Sequence, residues 1–124
     1  MTRDHGAMQT SGLHHVSVGV TDVAAATAFY CDILGGRLLD RPDFGFPGAW
    51  IEIGGGQVHL IESAEQASTA NHFALQVPDR DAAVAELQAR GADVRASERL
   101  APGTGKQAFL TDPSGNIIEL NEPD

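Results

Sequence analysis

The chain has 124 residues, of which 42% are hydrophobic and 20% charged, and this length suits one domain with a true hydrophobic core. Its formal net charge of −9 argues against nucleic-acid binding, because phosphate backbones are bound by basic surfaces. No apolar stretch approaches the roughly 20 residues of a membrane-spanning helix, and the single cysteine excludes an intrachain disulfide, so we expect a cytoplasmic protein without membrane contact.

The first half of the chain predicts a βαβββ unit. Residues 1–12 are polar and predict a disordered leader. A strand with alternating valines leads to an Asp22 cap, and the helix that follows is expected to end at Gly35-Gly36. A loop over 42–48 then separates a short strand from a hairpin built around three glycines. The predicted strands span 13–20, 37–41, 49–53 and 57–62.

The second half repeats this order, and internal repetition of this kind fixes the architecture. Asp79 is expected to cap the second helix, residues 103–105 to form a mobile loop, and residues 112–115 to turn the last hairpin. The sequence therefore predicts one domain of two βαβββ modules, over 13–62 and 70–122. The predicted helix runs to Arg90, and the predicted strands span 71–77, 92–96, 106–111 and 116–121.

Metal-ligand side chains recur at matched positions of the two modules. His15 and His72 each lie seven residues before the aspartate that caps the next helix. Each module ends on an apolar strand with one polar residue inside it, His59 in the first and Glu119 in the second. In these strands alternate residues are apolar, so one face must pack against the helices while the four polar side chains point to the other. If the sheet curls, they point into its concave side.

Three imidazoles and one carboxylate suit Zn²⁺, Ni²⁺, Fe²⁺, Co²⁺ or Mn²⁺. Four protein ligands on a six-coordinate ion leave two positions for water or substrate. Taken singly, each histidine is more simply explained as a polar residue on a half-exposed sheet face. Together, four such residues at matched positions of a repeat favour one divalent ion per site. His14, by contrast, has the parity of the core side and is expected to pack near a helix.

Three large aromatic residues, Phe44, Phe46 and Trp50, lie in or beside the loop that precedes the third strand. They can form an apolar wall for a small-molecule substrate, although they can equally belong to the core. Lys106 follows a glycine-containing loop and can meet an anionic substrate, but a solvated strand start is the simpler interpretation. The glycines at 54–56 predict a hairpin turn, because no helix follows them as in a phosphate-binding loop.

Several stretches resemble the vicinal oxygen chelate superfamily, which includes glyoxalase I, methylmalonyl-CoA epimerase, fosfomycin-resistance transferases, extradiol dioxygenases and bleomycin-resistance proteins. An Asp-Pro-x-Gly-Asn turn followed by a strand with a glutamate is characteristic of the superfamily, although it does not distinguish among activities. The matching stretches cover nearly the whole chain after the leader, at 13–22, 28–35, 57–62, 71–77 and 109–120.

The resemblance implies an α+β fold in which paired βαβββ modules form a curved mixed sheet around a divalent metal. His15, His72 and Glu119 match the family's metal ligands. His59 falls where glyoxalase I-like members have a glutamate and epimerase-like members a glutamine, which leaves it open as a ligand or a cavity-lining residue. Small members usually form homodimers, sometimes with exchanged modules, so the ligands can come from one chain or two.

The resemblance implies a glyoxalase- or epimerase-like isomerase or lyase, similar to lactoylglutathione lyase, for a small oxygenated metabolite or its thiol adduct. In such chemistry the ion binds two vicinal oxygens and stabilises an enediolate, and Glu119 is a candidate catalytic base. One alternative is a metal-dependent dioxygenase or thiol transferase that uses His15, His72 and Glu119. The other is a non-enzymatic resistance protein that binds an antibiotic. The sequence specifies neither the substrate nor the metal.

Overall fold

The computed structural model describes residues 8–98, 103 and 105–124. The predicted βαβββ order is present in both halves. Among the described residues, no helix is long and apolar enough to cross a membrane. The elements are β1 (His15–Val20), α1 (Val23–Ala28) with a π-helical turn (Phe29–Ile33), β2 (Arg37–Leu39), β3 (Gly48–Ile53), β4 (Gly56–Glu62), β5 (His72–Gln76), α2 (Arg80–Ala89), β6 (Arg95–Ala96), β7 (Lys106–Thr111) and β8 (Ile117–Glu122).

The strands form two four-stranded mixed sheets, one in each module. The strand orders are β1-β4-β3-β2 and β5-β8-β7-β6. In each sheet the first strand of the module pairs in parallel with the last, and the remaining pairs are antiparallel. The predicted α+β class and the repeat of one mixed-sheet module are therefore confirmed.

The two helices begin in the same way. Asp22 and Asp79 are extended N-cap residues, and each side chain accepts the backbone N–H three residues later, at 3.0 Å. Such a cap satisfies one of the N–H groups that the first helical turn leaves without a partner. The two aspartates that mark the sequence repeat are thus helix caps, and they are not among the four predicted metal ligands.

The hydrophobic core is built from the strand faces that turn away from the predicted ligands. Val58 and Leu60 flank His59 in β4, and Ile118 and Leu120 flank Glu119 in β8; all four are almost fully buried. The strict alternation in these strands fixes the side on which each polar residue lies, because a slip by one residue would expose the apolar set.

A turn of the second module is bonded to the first module. Asp112, which is 4% exposed, accepts hydrogen bonds at Oδ2 from the Tyr30 hydroxyl and the Asn116 amide, both at 2.9 Å. The Asn116 amide also donates to the Gly19 carbonyl oxygen, and the Ser114 hydroxyl accepts the Thr21 backbone N–H. The Asp-Pro-x-Gly-Asn motif therefore holds the two modules together.

Several predicted boundaries differ from the structure. The first helix is not one continuous α-helix, because its last turn widens into the π-helical turn, with the Leu34 N–H bonded to the Phe29 carbonyl oxygen. The short strands predicted at 37–41 and 92–96 shrink to Arg37–Leu39 and Arg95–Ala96, because only these residues pair with the neighbouring β3 and β7. The predicted leader and the loop at 103–105 fall partly outside the described residues.

Candidate metal and ligand site

His72 and Glu119 form a close pair on adjacent strands of the second sheet. His72 Nε2 lies 3.1 Å from Glu119 Oε1, and the carboxylate is buried whereas the imidazole is partly exposed. At the other edge of the ring, His72 Nδ1 lies 3.0 Å from the Ala70 carbonyl oxygen. A carbonyl oxygen only accepts hydrogen bonds, so Nδ1 carries a hydrogen and Nε2 is the nitrogen that can bind a cation.

This pair has the chemistry and spacing of two adjacent metal ligands. A neutral His72 would direct a lone pair at the negatively charged Oε1, an arrangement that requires a proton or a cation between the two atoms. The hydrogen bond to the Ala70 carbonyl raises the pKa of His72, desolvation lowers it, and the hydrogen bond to Glu119 raises it, so that the net shift is upward. Two ligand atoms bound at right angles, each about 2.1 Å from an ion, lie about 3.0 Å apart, close to the spacing observed here.

The first module carries a cluster of imidazoles. The rings of His15 and His59 stack with centroids 3.8 Å apart, and His14 Nδ1 lies 2.8 Å from His15 Nδ1. His59 Nε2 is 2.9 Å from Oε1 of Gln57, an acceptor, so its Nδ1 is the nitrogen with a free lone pair. Burial, followed by the charges of His15, His14 and Arg41, lowers the pKa of His59, which favours the neutral form that metal binding requires.

Aromatic rings continue from this histidine cluster to the surface. Trp50 stacks on His59 with centroids 4.6 Å apart, Phe44 lies 6.0 Å from Trp50, and Phe46 lies 5.9 Å from Phe44. The Arg41 guanidinium sits over both phenylalanine rings, at 4.9 and 5.1 Å from their centroids. About half of each phenylalanine surface is exposed. We call this row of rings, Phe44, Phe46, Trp50, His59 and His15, the aromatic ladder.

The two clusters remain separate within one chain. Among residues 8–98, 103 and 105–124, no group of three or more His, Cys, Asp or Glu side chains is arranged to hold a metal ion. His15 and His72 both line a cleft of about 870 Å³ between the modules, but each cluster by itself supplies only two of the four predicted ligands. We call these two pairs, His15 with His59 and His72 with Glu119, the candidate half-sites.

The structure differs from the prediction for His14, whereas Lys106 is the solvated strand start of its simpler interpretation. His14 is exposed beside His15, and the prediction that it packs on the core side is wrong, because it precedes β1 and escapes the strand alternation. Lys106, an exposed residue at the start of β7, precedes Gln107, whose side chain reaches Glu119. By strand alternation Lys106 lies on the opposite face from that carboxylate.

Three polar residues near the half-sites are absent from the predicted ligand set. Gln57 contacts His59, while Gln107 and Asn121 both contact Glu119. Strand alternation could have identified Gln57 and Asn121, which are two residues from a predicted ligand on the same strand. Gln107 comes from a neighbouring strand, and only the β7–β8 register places it opposite Asn121.

The family follows from a comparison of the whole sequence. The family model described as the Glyoxalase/Bleomycin resistance protein/Dioxygenase superfamily matches residues 12–120, so the chain belongs to that superfamily. This confirms the resemblance seen in the motifs.

Individual relatives differ in what is known of them. The uncharacterized protein YaeR of Escherichia coli (strain K12) is 33% identical, over 89% of this chain and 95% of its own. Lactoylglutathione lyase of Salmonella typhimurium is 28% identical, over 89% and 91%. Methylmalonyl-CoA epimerase of Bos taurus is 24% identical, over 89% and 73%.

Solved structures share the fold. TnmS3, an antibiotic binding protein from Streptomyces sp. CB03234, has a TM-score of 0.80 and 31% identity, covering 95% of this chain and all of its own. A mutant of the fosfomycin resistance protein FosX from Listeria monocytogenes, complexed with Mn(II), has a TM-score of 0.79 and 21% identity, covering 94% and 95%. The proteins that this chain resembles in sequence or fold thus include two enzymes, a resistance protein complexed with Mn(II), and an antibiotic binding protein.

Proposed function

We propose that this protein is a metal-dependent isomerase or lyase, glyoxalase- or epimerase-like, that acts on a small oxygenated metabolite or its thiol adduct. The observation that carries the proposal is the His72–Glu119 pair, whose Nε2 and Oε1 atoms lie 3.1 Å apart, close to the spacing of two adjacent ligands on one ion. The similarity to a lactoylglutathione lyase and a methylmalonyl-CoA epimerase along most of the chain supports this reaction class. The ion is Zn²⁺, Ni²⁺, Fe²⁺, Co²⁺ or Mn²⁺.

We propose that a homodimer completes the site. One module contributes His15 and His59, and the partner chain contributes His72 and Glu119. The separation of the two half-sites within one chain supports this assembly, and a two-fold axis would create two equivalent sites.

The bound ion would supply Lewis-acid stabilisation of negative charge on two adjacent substrate oxygens. The chain's own residues do the rest. Glu119 is the candidate base, because its carboxylate is buried and faces the ligand position. Oε1 would leave the ion transiently to accept a proton from the substrate carbon next to the coordinated oxygen. The aromatic ladder, with Phe44, Phe46 and Trp50, would pack against the apolar part of the substrate and exclude water.

The experiment combines metal analysis with a proton-exchange assay. Protein purified without chelators is analysed for divalent metals and then incubated in D₂O with two substrates, a glutathione hemithioacetal of a 2-oxoaldehyde and a 2-methyl-branched acyl-CoA. We expect about one ion per site and incorporation of deuterium at the carbon next to the carbonyl, detected by NMR. Glu119→Gln should abolish the incorporation. Full metal content with no exchange in either substrate would contradict the isomerase or lyase assignment and favour the dioxygenase or thiol transferase alternative.

A second candidate function, binding of an aromatic antibiotic without chemistry, is favoured by the exposed end of the aromatic ladder. Two half-exposed phenylalanine rings under a guanidinium form a surface on which a planar ligand can stack. The similarity to the antibiotic binding protein TnmS3 supports this candidate.

The single tryptophan makes this candidate directly measurable, because Trp50 lies within the ladder. Planar aromatic antibiotics are titrated into the metal-free protein, and Trp50 fluorescence is recorded. Phe44→Ala should weaken the binding of the antibiotic, as followed by this quenching, about 10-fold, which is the order expected for a lost aromatic contact. The control is Leu38→Ala, which removes an exposed apolar side chain from the opposite face of β2. Equal binding by both variants would count against a ligand platform at the ladder.

A further inference from the structure

Two amide groups hold one oxygen of the Glu119 carboxylate. Gln107 Nε2 donates to Oε2 at 3.2 Å, and Asn121 Nδ2 donates to the same oxygen at 3.0 Å. Gln107 and Asn121 are direct partners in the β7–β8 pairing, and Asn121 is two residues from Glu119. All three side chains therefore lie on one face of the second sheet.

The two carboxylate oxygens consequently have different roles. An ionised carboxylate oxygen has about two lone-pair directions, and the two amides occupy those of Oε2. Oε1 instead faces His72 Nε2, the nitrogen available for a cation. Rotation of the carboxylate about its axis would break both amide hydrogen bonds of a group that is only 7% exposed, and buried acceptors are costly to leave unpaired.

We propose that Gln107 and Asn121 are positioning residues that hold Oε2, so that Glu119 binds the divalent ion through Oε1 alone. This inference rests on the proposed metal-dependent function. Neither amide contacts the ion; both act through the carboxylate. Because a pre-oriented ligand loses less freedom on binding, the amides raise metal affinity and fix the geometry at the same time.

The test removes the donors and keeps the side-chain size. Gln107→Met and Asn121→Leu are compared with wild type and with Gln88→Met, a matched control that removes an amide donating to the Val94 carbonyl oxygen on the helix side. Binding of Zn²⁺ and of Mn²⁺ to metal-free protein is measured by titration. We expect the two site variants to bind about 10- to 100-fold more weakly, the range for outer-shell partners of metal ligands, and the control to match wild type.

An infrared measurement separates positioning from a general structural effect. The spectrum of metal-free protein is subtracted from that of metal-loaded protein to isolate the carboxylate stretches of the ligand. Wild type should show the wide splitting of a carboxylate bound through one oxygen. The Gln107→Met/Asn121→Leu double variant should show a narrower splitting, because Oε2 is released to approach the ion.

The outcomes distinguish this inference from the proposed function. A wild-type protein that binds no divalent ion would overturn both. Metal binding by wild type, with affinity and infrared splitting unchanged in the variants, would overturn the positioning role alone. If an apolar variant does not fold, as judged by thermal unfolding of the metal-free form, Gln107→Ala and Asn121→Ala replace it with the same expected loss.

Discussion

His72 lies between a carbonyl oxygen and a carboxylate, so its protonation is linked to the presence of a cation. The Ala70 carbonyl fixes the hydrogen on Nδ1, and Glu119 faces Nε2. A proton and a metal ion compete for the same nitrogen, and metal affinity at such a site falls as the pH is lowered.

His72→Ala should remove most of the bound metal, because it deletes one ligand and leaves Glu119 without its partner. His59→Ala should do less harm, because His15, His72 and Glu119 still form a two-histidine, one-carboxylate set. Metal content after gel filtration is measured by elemental analysis, with Gln88→Ala as the control. Full metal content in His72→Ala would show that the proposed ligand set is wrong.

At the scale of the elements, the two modules start their helices with the same device. Asp22 and Asp79 accept the N–H of Ala25 and Ala82 at the same distance, 3.0 Å. The helices that they cap differ, since α1 has six residues before the π-helical turn while α2 has ten.

Replacing either cap, in Asp22→Ala or Asp79→Ala, should lower the free energy of unfolding by about 0.5–2 kcal/mol. Asp79→Asn, which keeps a capping acceptor, should cost much less. The measurement is urea unfolding followed by circular dichroism. A loss in Asp79→Asn as large as that in Asp79→Ala would show that charge, rather than capping, is responsible.

The order of helices and strands was predictable because the same sequence pattern occurs in both halves of the chain. Alternating apolar residues locate β1, β4, β5 and β8, and β7 was predicted over its full extent. The strands β2 and β6 were less predictable, since they have only three and two residues, too few for an alternating pattern to show. The π-helical turn was missed because Phe29, Tyr30 and Ile33 also fit the apolar spacing of an ordinary α-helix.

The candidate site was predictable only in part, because local alternation places some of its residues whereas others depend on contacts with distant parts of the chain. Alternation places His59 and Glu119 on the face away from the core, and the structure shows both there. The contacts of His14 and Gln107 depend on the chain before β1 and on the register of a neighbouring strand. Neither is encoded by local periodicity. The joining of the half-sites depends on a second chain and stays a prediction.

At the scale of the whole molecule, the buried bond between Tyr30 and Asp112 joins the modules. Tyr30→Phe removes one of the two donors to Asp112 Oδ2 and should lower the free energy of unfolding by about 1–3 kcal/mol. The matched control is Phe29→Leu, which changes a neighbouring aromatic side chain that makes no such hydrogen bond in the part of the chain that the structure describes. Urea unfolding at neutral pH measures both. Equal stability of Tyr30→Phe and wild type would count against this bond as a tie between modules.

The same residue gives a pH dependence. Burial, and then the Asp112 carboxylate, raise the pKa of Tyr30 well above its ordinary value of 10.0. The unfolded chain loses this proton first, so the contribution of Tyr30 is fully present below about pH 10 and is lost as the pH rises through the folded pKa. Wild type should therefore lose stability more steeply than Tyr30→Phe above about pH 10. Parallel pH profiles of the two proteins would contradict this prediction.

Mixing two inactive variants tests the shared site. If each site takes its ligands from two chains, a heterodimer of His15→Ala and His72→Ala chains contains one intact site and one that lacks both histidines. Mixed and refolded chains should then bind about half the metal of wild type after correction for homodimers. A heterodimer with no more metal than either homodimer would show that all four ligands lie within one chain.

The parallel pairing of the first and last strands of each module has a consequence for synthesis. β8 lies between β5 and β7 in its sheet, yet it is the last of the four strands to be made. While the chain emerges from the ribosome, β5 has no strand with which to pair, and the backbone groups along its pairing edge lack their ladder partners until β8 follows. The second sheet therefore cannot form by adding strands in the order of the chain. The long-range pairing of β5 with β8 is expected to be the slow step of folding.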